Sequence, residues 1–100
     1  MPFEIIICGA GLAGLGAAIA LRRKGHNVTV LEAAQQLSEV GAGIQIPPNS
    51  CRVLQHYGVL DDILGHVVWP EALQFRRYST GEVIGKTPLQ PSMVDKYGFP

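Results

Sequence analysis

The chain has 100 residues, which is enough for one small domain at most. Its hydrophobic content of 47% is typical of a globular protein and argues against intrinsic disorder. Basic and acidic residues balance at 8 each, so no net positive field favours nucleic acid or an anionic membrane as a partner.

A βαβ unit is predicted at the beginning of the chain. Three β-branched isoleucines at positions 5–7 are typical of a buried parallel strand. A helix is expected to begin near Leu12 and to end at Gly25, after a last turn rich in cations. A second strand is predicted over residues 28–31. The apolar face of the helix is expected to consist of Leu15, Ala18, Ile19 and Leu21.

The turn between the first strand and the helix carries the pattern G-x-G-x-x-G at Gly9, Gly11 and Gly14. Gly9 allows the tight turn, Gly11 lets the backbone approach a pyrophosphate, and Gly14 permits close packing of helix on strand. The pyrophosphate is expected on the free N–H groups of the helix start near Leu12. Glu32, at roughly the 20-residue separation typical of this motif, is expected to accept hydrogen bonds from a ribose diol.

This pattern in its strand–turn–helix context predicts a dinucleotide site. The acidic residue favours a free 2′-hydroxyl, so FAD or NAD fits better than NADP. The alternative is a βαβ unit that binds no nucleotide.

The apolar run over residues 5–21 has the composition of a signal peptide or membrane span. Glu4 precedes it in place of a basic region, and its length is marginal for a bilayer. We therefore expect no membrane span. Cys8 and Cys51 stand in unlike contexts without a ligand cluster, which favours a reducing, cytoplasmic location and no metal site. Cys8 is expected to point into the sheet as a small hydrophobe.

The residues after the second strand predict a loop followed by a helix. Residues 33–40 are expected to form an irregular loop with a short helical turn, and residues 44–46 an extended stretch. A helix is predicted over residues 50–57, because both Asn49 and Ser50 are good N-caps.

The same helix is expected to end at Gly58 and to bury the side that carries Val53 and Leu54. A further short helix is predicted over residues 60–68, capped by one of two aspartates, Asp61 or Asp62.

The last third of the chain predicts a β-hairpin. Residues 72–78 and 83–87 have β character, and residues 79–82 have the composition of a turn. Residues 88–100 are expected to form a loop, because prolines and a glycine interrupt any regular element.

A second glycine-rich segment, GAGIQIPPNS, covers residues 41–50. Gly41 and Gly43 bracket a place where the backbone could lie against a planar ligand, and the following helix start offers free N–H donors. A plain glycine-rich connection before a capped helix explains the segment equally well. The residues alone leave both interpretations open.

Three separated segments, over residues 9–32, 39–50 and 76–89, resemble the N-terminal end of the FAD-dependent aromatic hydroxylases. These are the salicylate-hydroxylase-like flavoprotein monooxygenases, particularly those of fungi. The resemblance covers essentially the whole chain. It implies an α/β fold with a Rossmann-like FAD/NAD(P)-binding βαβ unit of the glutathione-reductase type, incomplete, and a β-hairpin in the C-terminal half.

The resemblance implies that residues 1–100 are the N-terminal part of a single FAD-binding domain. The rest of that domain and the substrate domain would belong to segments that this chain does not contain. The intact enzyme would take electrons from NADH or NADPH and use O₂ to hydroxylate a small aromatic molecule. The chain alone is expected to be inactive, and no catalytic residue or oligomeric state is assigned.

The resemblance also implies the residues that bind the cofactor. The FAD pyrophosphate would lie along Gly9, Gly11, Leu12, Ala13 and Gly14, the ribose at Glu32, and the flavin against Gly43 and Ile44. Two positions depart from the family: Ala33 replaces a cation that follows the ribose-binding glutamate in many relatives, and Gly41 replaces an arginine found in some.

Two further functions remain as alternatives. An NAD-linked reductase would share the G-x-G-x-x-G pattern but would not need the 41–50 segment. A truncated, catalytically inactive nucleotide-binding module would bind FAD or ADP without oxidising NAD(P)H.

Overall fold

The structure is a computed structural model that describes residues 1–38 and 43–100. Its internal contacts divide the chain into two compact units, Met1–Gly43 and Ile44–Pro100.

The first unit is a βαβ unit, as predicted. Strand β1 covers Glu4–Cys8, helix α1 covers Leu12–Arg23 and strand β2 covers Asn27–Leu31. The two strands pair in parallel, with a register that runs from Glu4↔Asn27 to Cys8↔Leu31. Because parallel strands need a crossover, α1 spans the return from the end of β1 to the start of β2.

Helix α1 packs closely on the strands through small residues. A Cβ added at Gly14 would lie 2.0 Å from the carbonyl oxygen of Gly9, and Ala18, one turn later on the same face, is buried. The predicted apolar face is wrong at Leu15, whose side chain is 41% exposed. Leu15 lies one position beyond Gly14, and so points about 100° away from the face that meets the strands.

Strand β1 shows the alternation of a strand that is covered on one side within its unit. Ile5 and Ile7 are half-buried, whereas Ile6 is 67% exposed and Cys8 is exposed. The prediction that Cys8 points into a packed sheet is therefore wrong for this unit. Successive strand side chains point to opposite faces, so Cys8 shares the face of Ile6 and not the face under α1.

Residues 33–36 bend without forming the predicted helical turn. The N–H of Ala34 instead donates to the side chain of Glu32, which holds this segment in a local turn. The remainder of the predicted loop, together with Gly41, falls on residues 39–42 and lies outside the described residues.

The second unit contains three helices and a hairpin. Helix α2 covers Pro48–Tyr57 and helix α3 covers Leu60–Leu64. Strands β3 and β4 cover Ala72–Arg76 and Val83–Pro88, and helix α4 covers Ser92–Tyr97.

Helix α2 begins two residues before the predicted start. Pro47 is its N-cap residue, and Pro48 occupies the first helical position, where the missing N–H costs nothing. Asn49 does not cap the helix, because its Oδ1 accepts the N–H of Ser50 at 2.9 Å. The predicted end is confirmed, since Gly58 has a φ of 76° in the left-handed region.

The buried side of α2 also differs from the prediction. Cys51 is 4% exposed, whereas Val53 is 49% exposed and Leu54 is half-buried. Leu54 lies three residues after Cys51 and so on the same side of the helix, which makes the prediction wrong at Val53 and not at Leu54.

Helix α3 is shorter than predicted and is not capped by an aspartate. Its N-cap residue is Val59, and Asp61 and Asp62 lie in the first turn, where their charges complement the positive end of the helix dipole. Leu60 anchors the helix with a buried side chain.

The hairpin is confirmed, and the segment after it corrects the prediction. Strands β3 and β4 pair antiparallel from Ala72↔Pro88 to Arg76↔Val83, with an irregularity after Phe75. The expected loop contains helix α4, because a proline N-cap residue interrupts no helical hydrogen bond. Gly98, with a φ of 78°, ends this helix instead of preventing it.

Candidate functional site

The glycine turn and Glu32 lie side by side at the carboxyl edge of the parallel pair. The register places Cys8 opposite Leu31, and the N–H of Gly9 continues the pairing by donating to the carbonyl of Leu31 at 2.6 Å. Because β1 and β2 end at the same edge, the residues that follow them become neighbours. This juxtaposition brings together the two halves of the predicted site.

The glycine turn leaves space where a ligand would approach. Gly9 has a φ of +105°, which favours glycine over any L side chain. Gly11 is the N-cap residue of α1 in extended conformation, and a Cβ built on it meets no described atom within 4 Å. The turn is therefore a cradle that a side chain at position 11 would fill.

The start of α1 has the electrostatic character of an anion site. Its first turn contains no acidic residue, and no side chain of the described residues caps it. Leu12 and Ala13 are exposed at this end of the helix. The first N–H groups of a helix lack internal partners and carry its positive dipole end, so this geometry fits the pyrophosphate of a dinucleotide.

Glu32 connects two backbone segments through its carboxylate. Its Oε2 accepts the N–H of Ala10 at 2.7 Å, and its Oε1 accepts the N–H of Ala34 at 3.0 Å. These hydrogen bonds, that from Ala34 first and that from Ala10 second, lower the pKa of the Glu32 carboxyl below its ordinary value of 4.5. Glu32 is therefore an anion at neutral pH, and both of its oxygens are hydrogen-bond acceptors.

The lowered pKa predicts that Glu32 contributes to stability in a pH-dependent way. A carboxyl with a depressed folded pKa stabilises the fold fully above its unfolded pKa, which is near 4.5. This contribution is lost as the pH falls through the lower folded pKa. Thermal melts of Glu32→Gln and the unsubstituted full-length protein should converge over that acidic range. Glu82→Gln makes the same charge change in the hairpin turn and is the matched control; the same acid-dependent convergence in that variant would show that the effect is not specific to Glu32.

The second glycine-rich segment is described only in part. Gly43 has a φ of +130°, so a side chain there would be strained, and Ile44 is exposed. Gly43 ends the first compact unit and Ile44 begins the second. The proposed contact of these residues with a flavin stays a prediction.

Sequence reasoning identified the glycines and Glu32 but missed the backbone partners of Glu32. Ala10 and Ala34 carry no functional side chain, and only the strand register brings the N–H of Ala10 to the carboxylate. A usable signal was the parallel pairing itself, which aligns the residue after Gly9 with the end of β2.

Over residues 1–38 and 43–100, His, Cys, Asp and Glu form no group of three or more that could hold a metal ion. Within the same residues, no helix has the length and apolar character needed to cross a bilayer.

Comparison with protein families and curated relatives gives a consistent result. The family described as "FAD binding domain" matches residues 3–98. The FAD-dependent monooxygenase OpS4 of Beauveria bassiana (strain ARSEF 2860) is 46% identical over 100 residues, which are 99% of this chain and 23% of that protein. The 3-amino-4-hydroxybenzoate 2-monooxygenase of Streptomyces cremeus is 41% identical over 97 residues, which are 97% of this chain and 25% of the relative.

A solved structure shows the same similarity in three dimensions. A variant of HpxO from Klebsiella pneumoniae, crystallised with FAD, superposes with a TM-score of 0.80 at 28% identity, over 95% of this chain and 24% of that one. The chain thus spans about a quarter of the length of the proteins that it matches.

Proposed function

The chain belongs to the FAD binding domain family, and from this membership we propose that it is the FAD-binding N-terminal portion of a flavoprotein monooxygenase. The complete enzyme would oxidise NADH or NADPH and hydroxylate a small aromatic molecule with O₂. The observation that carries the proposal is the open glycine turn beside Glu32, in a chain whose similarity to FAD-dependent monooxygenases covers almost its whole length.

The residues of the first unit have separate roles in binding FAD. The N–H groups from Gly11 to Ala13 would hold the pyrophosphate, since they stand at the uncapped start of α1. Gly9 supplies the turn, and Gly14 brings the helix against it. Glu32 would accept hydrogen bonds from the adenosine ribose, because its oxygens retain lone pairs beyond those used by the backbone.

Gly43 and Ile44 would contact the flavin region, with the backbone of the glycine-rich segment close to the ring. When bound, FAD would supply the redox chemistry, namely hydride acceptance from the nicotinamide and activation of O₂. Residues 1–100 would bind and orient the cofactor, and none of them is assigned as catalytic. We propose that the whole chain is one portion of a single FAD-binding domain.

Two experiments on the full-length protein test this proposal. Purified protein should be yellow, with a flavin spectrum, and heat should release FAD and not FMN. Oxidation of NADH or NADPH should accelerate when hydroxylated benzoates are added, with consumption of O₂. Release of NAD without flavin would favour an NAD-linked reductase. Bound FAD without any NAD(P)H oxidation would favour the inactive nucleotide-binding module.

We expect residues 1–100 expressed alone to be poorly stable and to bind FAD weakly. The residues that the structure describes form two separate two-stranded sheets, and an isolated pair of strands is at best marginally stable in water. Apolar side chains on these strands, such as Ile6 and Phe75, stay exposed, so less surface is buried to offset chain entropy. A calorimetric melt and an FAD titration measure this. A cooperative melt with submicromolar affinity, like that of the full-length protein, would contradict it.

We also propose a cytoplasmic location, which the two free thiols support, since disulfides are rare in that compartment. Fractionation of the native cells tests it.

A further inference from the structure

The carboxylate of Glu32 makes hydrogen bonds within the protein, in addition to any that it would make to a ribose. Each of its oxygens already accepts one backbone N–H: Oε2 that of Ala10 at 2.7 Å, and Oε1 that of Ala34 at 3.0 Å. Hydrogen bonds to an ionised acceptor are stronger than neutral ones. The two donors come from different segments, the glycine turn after β1 and the turn after β2, so the carboxylate links the two.

The segment that Glu32 holds is the one with the most backbone freedom in the site. Ala10 stands between Gly9, at a φ of +105°, and Gly11, the N-cap residue of α1. Glycines reach many backbone conformations and lose much entropy when one is selected. A contact that selects one conformation of such a turn preorganises it, and preorganisation raises affinity by lowering the entropy lost on binding.

Resting on the proposed FAD site, we propose that Glu32 is a positioning residue whose two carboxylate oxygens tie the glycine turn to the segment after β2 and hold it in the phosphate-binding conformation before FAD arrives. This role is separate from a ribose contact. An ionised carboxylate has about four acceptor positions, and the N–H groups of Ala10 and Ala34 take two of them. Acceptor capacity remains for a ribose hydroxyl, so both roles can operate together.

The two hydrogen bonds from Ala10 and Ala34 to Glu32 should be detectable by NMR in the ligand-free protein. Backbone hydrogen bonds, that from Ala34 first and that from Ala10 second, lower the pKa of Glu32. The amide resonances of Ala10 and Ala34 should therefore shift together as the Glu32 carboxylate is protonated. If Glu32 served only as a ribose contact, its protonation would not shift the amide resonance of Ala10.

The test uses the full-length protein labelled with ¹⁵N-alanine and stripped of flavin. We expect the Ala10 and Ala34 amide resonances, assigned with Ala10→Gly and Ala34→Gly, to titrate with one shared midpoint below 4.5. In Glu32→Gln, whose amide can accept through only one atom, at least one of the two resonances should lose its protection from hydrogen exchange. Two different titration midpoints for these amides, or unchanged hydrogen exchange of both Ala10 and Ala34 in Glu32→Gln, would overturn the proposal.

Affinity for FAD provides the second readout. Glu32→Asp keeps the charge and both oxygens but shortens the side chain by one methylene. We expect it to keep the local bond to Ala34 and to lose the one to Ala10, and to weaken FAD binding about tenfold. Glu82→Gln, an exposed charge change in the hairpin turn, should change affinity less than about twofold. A Glu32→Asp protein with unaltered affinity and altered Ala10 exchange would refute a role in preorganisation.

The outcomes also separate this proposal from the proposed function. If the unsubstituted protein binds no FAD, the function fails, yet the shared titration of the two amides still reports whether the carboxylate holds the turn. The titration needs no substitution at Glu32, so the proposal can still be refuted if the Glu32→Gln protein does not fold.

Discussion

Replacement of Gly14 by alanine is expected to destabilise the protein by about 3 kcal/mol, at the upper end of the cost of adding a group to a packed site. The new Cβ would stand 2.0 Å from the carbonyl oxygen of Gly9 and 3.1 Å from its carbonyl carbon. Both atoms belong to the backbone, so the clash is relieved only by moving α1 away from β1 or by distorting the turn. Either movement also disturbs the phosphate site, and we expect flavin to be lost as well.

Thermal and denaturant unfolding of the full-length, flavin-free protein measure this effect. Gly16→Ala is the matched control, because it makes the same substitution in the same helix at a position where no described atom lies within 4 Å of the new Cβ. Since alanine favours helix over glycine, Gly16→Ala should be neutral or up to about 1 kcal/mol more stable. Equal stability of the two variants would show that α1 does not approach the strand as closely as the structure indicates.

Replacement of Gly11 by valine is expected to weaken FAD binding strongly and to lower the stability of the flavin-free protein only slightly. A Cβ at Gly11 meets no described atom within 4 Å, so the flavin-free protein should fold, with a cost of about 1 kcal/mol for a poorer N-cap residue. The branched side chain would fill the space beside the start of α1 that the pyrophosphate needs. A steric cost of up to about 3 kcal/mol corresponds to an affinity loss of about a hundredfold.

Flavin content after purification and an FAD titration measure the second effect. Gly11→Ala should give a smaller loss than Gly11→Val, because the added group is smaller. The contrast with Gly14 is informative: Gly14→Ala lowers the stability of the flavin-free protein, whereas Gly11→Val lowers affinity and leaves most of that stability intact. Full flavin occupancy in Gly11→Val would show that the phosphate does not lie at this turn.

Local sequence signals were sufficient for the framework of the site. The order of β-branched residues, three spaced glycines and a helix with a basic end predicts the βαβ unit, and β1, α1 and β2 lie where expected. Gly58 and the turn at residues 79–82 likewise mark a helix end and a hairpin. These features depend on neighbouring residues, since φ preferences and side-chain periodicity act over a few positions.

Errors arose where local signals competed. Asn49 and Ser50 are good N-caps, but Pro47 and Pro48 begin α2 earlier because proline loses nothing at the first helical position. The prolines and glycine near the C-terminus suggested a loop, yet Pro91 and Gly98 stand at the two ends of α4, where both residue types are compatible with a helix.

The sequence by itself determined the family, the βαβ unit, and the glycines and glutamate of the candidate site. Tertiary structure alone decided which faces are covered, such as Cys51 over Val53 in α2, and which backbone groups the carboxylate of Glu32 meets. The physical reason is that both depend on contacts between segments distant in the chain. The parallel register of β1 and β2 brings the N–H of Ala10 to the carboxylate of Glu32. The sequence pattern of either segment alone does not predict this contact.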